Sequence, residues 1–156
     1  MDRIKKILAP TDLSELSGAG VRYAFELAQT VGAEVTVYHA VSTEELLGYG
    51  RSGSRGDIIE KCDTEVRRFL DDHCSDLLPL AKVHRKVELG APDINIVEEA
   101  KKEGTDLIVI STHGRTGLSH VLVGSVTEKV VRHAPCPVLS IRPESRKAPP
   151  RATAAA

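Results

Sequence analysis

Five short runs of β-forming residues recur along the chain, separated by longer stretches with helical hydrophobic spacing, and this alternation constrains the fold more than any other feature. The runs are residues 4–9, 35–40, 83–89, 107–111 and 138–141. Leu107-Ile108-Val109-Ile110 and Val35-Thr36-Val37-Tyr38 are nearly continuous in β-formers, as strands covered on both faces must be. Val83, Arg85, Val87 and Leu89 instead alternate with His84, Lys86 and Glu88, which predicts an edge strand. Strand and helix in strict succession predict βαβ units and a parallel sheet, an α/β sandwich with helices on both faces.

The helical segments carry their own punctuation. Leu16, Gly20, Ala24, Leu27 and Val31 share one face of the first; Ile58, Cys62, Val66, Phe69, Leu70, His73 and Leu77 share one face of the second. Pro92 suits a first helical position, and Gly104 suits the stop after the basic turn Lys101-Lys102. A last helix is expected from Ser125 to His133, ended by Pro135. Residues 42–56 carry Gly48, Gly50, Gly53 and Gly56 and predict a mobile loop. Residues 1–143 are expected to form one domain, and the Pro- and Ala-rich residues 144–156 a disordered tail.

Composition removes several function classes. Twenty-one Lys+Arg against 22 Asp+Glu leave a net charge of −1, no electrostatic footprint for nucleic acid. With two Phe, three Tyr and no Trp there is no base-stacking platform either. Cys62, Cys74 and Cys136 lack C-x-x-C spacing and read as three reduced thiols. The first ten residues lack the apolar core of a signal peptide, and nowhere does an apolar run reach membrane-spanning length. The expectation is a cytoplasmic protein without a membrane span.

In an open α/β sheet, ligands bind beyond the carboxyl ends of the strands, so the turns there hold the candidate chemistry. After the first strand stands Pro10-Thr11-Asp12-Leu13-Ser14, and after the fourth Ser111-Thr112-His113-Gly114-Arg115-Thr116-Gly117. The latter leads to Gly124-Ser125-Val126 at a helix start, where unpaired N–H groups and a positive dipole end attract an anion. Gly114, Gly124 and Ser125 can hold phosphates between them, with His113 or Arg115 adding a donor or a charge. A bland alternative stands beside this: Ser125-Val126-Thr127-Glu128 matches a capping box that needs no ligand. Asp12 is likewise either a ligand contact or a helix N-cap.

Other motifs carry less. Gly48-Tyr49-Gly50-Arg51-Ser52-Gly53 spells G-x-G-x-x-G but lacks the strand-turn-helix context of a dinucleotide site. No P-loop, G-x-S-x-G elbow or H-E-x-x-H is present. His39 ends a strand close to the proposed site, His73 lies on an apolar helix face, and Cys136 between two prolines reads as a structural thiol.

Ser111-Thr112-His113-Gly114, nine residues, then Gly124-Ser125 resembles G-x-x-G-x9-G-[ST], the nucleotide motif of the universal stress protein family. The opening Ile4-Lys5-Lys6-Ile7-Leu8-Ala9-Pro10-Thr11-Asp12, the middle Gly90-Ala91-Pro92 and the closing Cys136-Pro137-Val138-Leu139 resemble other landmarks of that family in the same order. The resemblance implies a single-domain, three-layer α/β/α sandwich with a five-stranded parallel sheet of order 3-2-1-4-5, Rossmann-like, with first and fourth strands adjacent. It implies an adenine nucleotide such as ATP, with Gly114, Gly124 and Ser125 on the phosphates, Pro10, Thr11 and Asp12 on the adenosine, and Val41 on the adenine. Mg²⁺ or Mn²⁺ would accompany the phosphates, with no protein ligand named. Ser111 stands where the motif has its first glycine, and its Cβ and hydroxyl border the space a ribose or phosphate would need. The family also implies a homodimer formed through the last strand, Val138–Ile141, and a regulatory role in the stress response. Two alternatives remain at this stage: a slow metal-dependent ATP hydrolase or phosphotransfer enzyme using His113 and Asp12, and a nucleotide-free scaffold.

Overall fold

The computed structural model describes residues 3–50, 53–113 and 123–143. Gly114 and Arg115, and the tail 144–156, lie outside the described residues. Strands β1 (Lys6–Pro10), β2 (Glu34–Val41), β3 (Lys82–Leu89), β4 (Leu107–Ser111) and β5 (Val138–Ile141) form one parallel sheet of order β3-β2-β1-β4-β5. Helices α1 (Glu15–Val31), α2 (Thr43–Gly48), α3 (Arg55–Cys74), α4 (Pro92–Glu103) and α5 (Ser125–His133) connect them. The order places β3 and β5 at the edges and β1 beside β4, with Ile7 opposite Leu107 and Leu8 opposite Ile108.

Two core layers result from the pleat, because successive strand residues point to opposite faces. Ile7, Ala9, Val35, Val37 and Val109 pack with Val21, Phe25, Val66 and Phe69 under α1 and α3. Leu8, Tyr38, Ala40, Ile108 and Ile110 pack with Ile96 and Val130 under α4 and α5. β1 starts at Lys6 rather than Ile4, since the Lys5 and Lys6 amides are both taken, at 2.9 Å, by the Asp106 carboxylate.

Two helices depart from the expectation. α1 turns a small-residue stripe to the sheet: Ser17, Gly18, Gly20, Val21, Ala24, Phe25 and Ala28 are buried, while Leu16, Leu27 and Val31 sit half-buried at its margins. The reason is close approach. A Cβ on Gly20 would fall 2.6 Å from Ser111 Oγ, and one on Gly18 would fall 2.7 Å from His73 Nδ1. His73 packs against Phe69 at 4.5 Å between ring centroids, as its apolar helix face predicts. The second departure is α2, which occupies Thr43–Gly48 where a loop is expected. Ser42 and Glu45 form a capping box, two reciprocal bonds that start a helix even in a glycine-rich stretch.

Candidate functional site

The adjacency of β1 and β4 opens a crevice at their carboxyl ends, and a cavity of about 240 Å³ lies there. Pro10, Thr11, Asp12, Ser111, His113, Gly124, Ser125 and Val126 line it, so the two turns come together once β1 and β4 are neighbours, the strand order that the family resemblance implies. Sequence reasoning missed Ser17, Tyr38, Ala40, Ser42, Glu44, Glu45, Pro92, Ile96, Ile110 and Thr127 in the same lining. Tyr38 and Ala40 were within reach of the period-2 rule, which puts them on one face of β2. Val41 points elsewhere: it is fully buried, does not line the cavity, and its carbonyl accepts the Gly90 amide at 3.0 Å.

The β1 turn is held by its own hydroxyls. Thr11 Oγ1 accepts from the Leu13 amide at 3.0 Å and bonds Ser17 Oγ at 2.8 Å. Leu13 thereby sits at φ 64, a left-handed conformation that is costly for a branched side chain. Ser14, not Asp12, is the N-cap of α1, its side chain accepting from the Ser17 amide. Asp12 Oδ1 accepts from the Ser14 amide and hydroxyl, so the carboxylate orients the cap while bordering the cavity.

The β4 turn is tied directly to the start of α5. The Gly124 amide donates to the Thr112 carbonyl at 2.6 Å, and Thr127 Oγ1 donates to the Ser111 carbonyl at 2.8 Å. Glycine suits this approach, because a Cβ on Gly124 would meet the Thr112 carbonyl oxygen at 3.0 Å, a tight contact. Gly124 is the N-cap, Ser125 is the first helical residue, and among the described residues no side chain caps α5. The capping box read from Ser125 and Glu128 is therefore not made; Glu128 Oε1 accepts from Arg132 at 2.9 Å. Gly124, Ser125 and Val126 line the cavity, so the start of α5 and the positive end of its dipole border it.

Ser111 is also turned to another use. Its Oγ accepts the Gly20 amide at 3.0 Å and donates to the Ser17 carbonyl at 3.3 Å, so the hydroxyl belongs to the packing of α1 on β4. His113 Nδ1 is bonded to Thr112 Oγ1 at 2.8 Å.

The thiols supply no second site. All three are unpaired; burial raises the pKa of Cys62 and Cys136, and that of Cys74 to about 11, which leaves them protonated and unreactive near neutrality. Among the described residues no group of three or more His, Cys, Asp or Glu is arranged to hold a metal, and no helix is long and apolar enough to cross a membrane.

Residues 3–142 match the universal stress protein family. The chain belongs to that family. A universal stress protein of Methanocaldococcus jannaschii is 36% identical over 143 residues, 88% of this chain and 82% of the relative. A second protein of that archaeon, solved as a test case of structural genomics, superposes with a TM-score of 0.75 at 29% identity, covering 95% of this chain and 100% of its own. A universal stress protein solved in complex with cAMP shares the fold, with a TM-score of 0.69 at 20% identity over 92% of this chain and 100% of its own.

Proposed function

We propose that this universal stress protein binds an adenine nucleotide, ATP in the first instance, between the β1 turn and the N-terminus of α5, and that occupancy of the cleft regulates its contacts as a homodimer. The observation that carries the reading is the start of α5 at the cavity, with glycine as N-cap and the β4 turn hydrogen-bonded to it. Unpaired amides at the positive end of a helix are suited to phosphate, and glycine leaves the approach open. The apolar part of the lining, Pro10, Ala40, Ile96, Ile110 and Val126, is suited to a base, and Asp12 to ribose hydroxyls. Ser111, the departure from the family motif whose Cβ borders the nucleotide space, spends its hydroxyl on α1, which supports an open site. The cAMP complex of a protein with this fold supports an adenine nucleotide as the ligand class.

The donor set also bears on the metal. With Asp12, Glu44 and Glu45 the only carboxylates lining the cavity among the described residues, Mg²⁺ or Mn²⁺ would travel on the phosphates instead of in a protein cage. Unpaired cysteines support a reducing compartment, the cytoplasm.

The test is to denature freshly purified protein, identify any released nucleotide by mass spectrometry, and titrate the stripped protein calorimetrically with ATP and Mg²⁺. Binding is expected, and Gly124→Ala should weaken it at least about tenfold, the loss of one well-aligned charge-assisted contact, with circular dichroism unchanged. No released nucleotide and no binding heat in the wild type would overturn the proposal.

A further inference from the structure

The nucleotide reading leaves one buried group unused. His39 is fully buried on β2 and shares the face of Val35 and Val37, toward α1 and α3. Its Nδ1 lies 2.9 Å from the Thr11 carbonyl oxygen. A carbonyl can only accept, so Nδ1 carries a proton, and a neutral ring then leaves a bare lone pair on Nε2. Nε2 is buried without a hydrogen bond of good geometry, and the atom it faces, 3.3 Å away, is Glu45 Oε1. An ionised carboxylate is also only an acceptor. Two lone pairs facing each other away from water repel, whereas one proton placed between them makes a charge-assisted bond.

We infer that His39 and Glu45 together hold one proton more than a neutral imidazole and an ionised carboxylate would, and that the bond this proton makes pins α2 to the end of β1. His39 is on this view a positioning residue. One side of its ring holds the Thr11 peptide in the turn that lines the cavity; the other holds Glu45, whose Oε2 accepts the Ser42 amide at 2.8 Å and so starts α2. Ser42, Glu44 and Glu45 form one wall of the cavity, and Pro10, Thr11 and Asp12 form another. Loss of the proton frees one wall from the other.

The surroundings favour keeping it. From α2 come Glu44 and Glu45, from the β1 turn Asp12, and from α3 Glu65, Lys61 and Cys62, the thiol being neutral and sensitive to the charge of Glu45. The neighbour on β3 is Val87, which is uncharged. Among the described residues these groups comprise four carboxylates and the one cation Lys61.

The inference rests on the proposed nucleotide site only for its effect on ligand affinity, so the nucleotide-free protein tests the pin by itself. Proton-nitrogen correlation spectra of the His39 ring, recorded across a pH series, should show a proton at Nε2 near neutrality that is lost as the pH rises. Exchange of the α2 amides, corrected for intrinsic rates, should then accelerate about tenfold, the loss of one charge-assisted bond. Glu45→Gln should abolish the step while keeping α2 protected, since its amide donates to the bare Nε2 and its oxygen still accepts from Ser42. His39→Asn, which keeps a donor for Thr11 alone, should leave α2 fast-exchanging at every pH. ATP affinity should fall about tenfold over the same pH range in the wild type and stay level in Glu45→Gln. A bare Nε2 at neutral pH, or a wild-type α2 whose exchange shows no step, overturns the pin. If ATP fails to bind at any pH while the ring and exchange data show the step, the nucleotide reading falls and the pin stands.

Discussion

Ser111 and Gly20 show how one residue can depart from a motif without closing the site behind it. Ser111 lines the cavity while its hydroxyl bonds the Gly20 amide and the Ser17 carbonyl, and Gly20 has no side chain because that hydroxyl and the Ser111 backbone occupy the space. Gly20→Ala would place its Cβ 2.6 Å from Ser111 Oγ and 2.8 Å from the Ser111 amide nitrogen. A loss of about 1–3 kcal/mol in a urea unfolding titration is expected, as for other overpacked cores. Adding Ser111→Ala should recover only part of it, because the backbone nitrogen stays. Full recovery would mean that the hydroxyl alone sets the spacing between α1 and β4.

The elements are joined at their margins by ion pairs of two kinds. Arg22 on α1 donates two hydrogen bonds of 2.8 Å to the Asp76 carboxylate beyond α3, and this holds the Asp76 pKa at about 2 against the ordinary 3.8. A carboxyl depressed by folding stabilises the fold above its unfolded pKa, and that contribution disappears as the pH falls from 3.8 through about 2. Nuclear magnetic resonance titration should find Asp76 near that low value in the wild type and back toward its ordinary range in Arg22→Met. The effect on stability should be small, since both groups face solvent. Lys86 on β3 and Glu99 on α4 behave differently, because the Glu99 side chain is only 2% exposed and accepts two bonds from Lys86, at 2.9 and 2.7 Å. Lys86→Met would strand that carboxylate and should cost about 3–5 kcal/mol, most of which Lys86→Met with Glu99→Leu should restore, as read from denaturant midpoints.

At the scale of the whole molecule, ligand and partner report on the fold together. ATP at a hundredfold excess over its dissociation constant should add about 2.7 kcal/mol to the stability, visible by calorimetry as a rise of about 5 °C or more in Tm. The β5 edge offers the surface for the proposed dimer. The carbonyls of Pro137 and Ile141 accept from Ile108 on β4 and from Thr112 just after it, so the polar groups of Val138 and Ser140, one residue out of phase, point away from the sheet. Ser140→Pro should therefore dissociate a dimer in analytical ultracentrifugation while leaving the β4–β5 ladder intact. Much of this architecture is legible in the chain itself. Short β-rich runs between amphipathic stretches specify the parallel sandwich, since a parallel strand pair needs a crossover long enough to hold a helix. Resemblance to family landmarks, not periodicity, carried the strand order. The turns bearing Asp12 and Gly124 are legible because glycine and hydroxyl residues at strand ends have few other uses. Packing, by contrast, settled which neighbour each polar group found. Gly124 became the N-cap of α5 where the sequence spells a capping box starting at Ser125, Ser111 turned its hydroxyl to α1, α2 formed in a glycine-rich stretch, and His39 came to face Glu45. Periodicity along a chain tells which side of an element is buried; the partner of a buried hydroxyl or imidazole comes from a distant segment, and its identity exists only once the layers have packed.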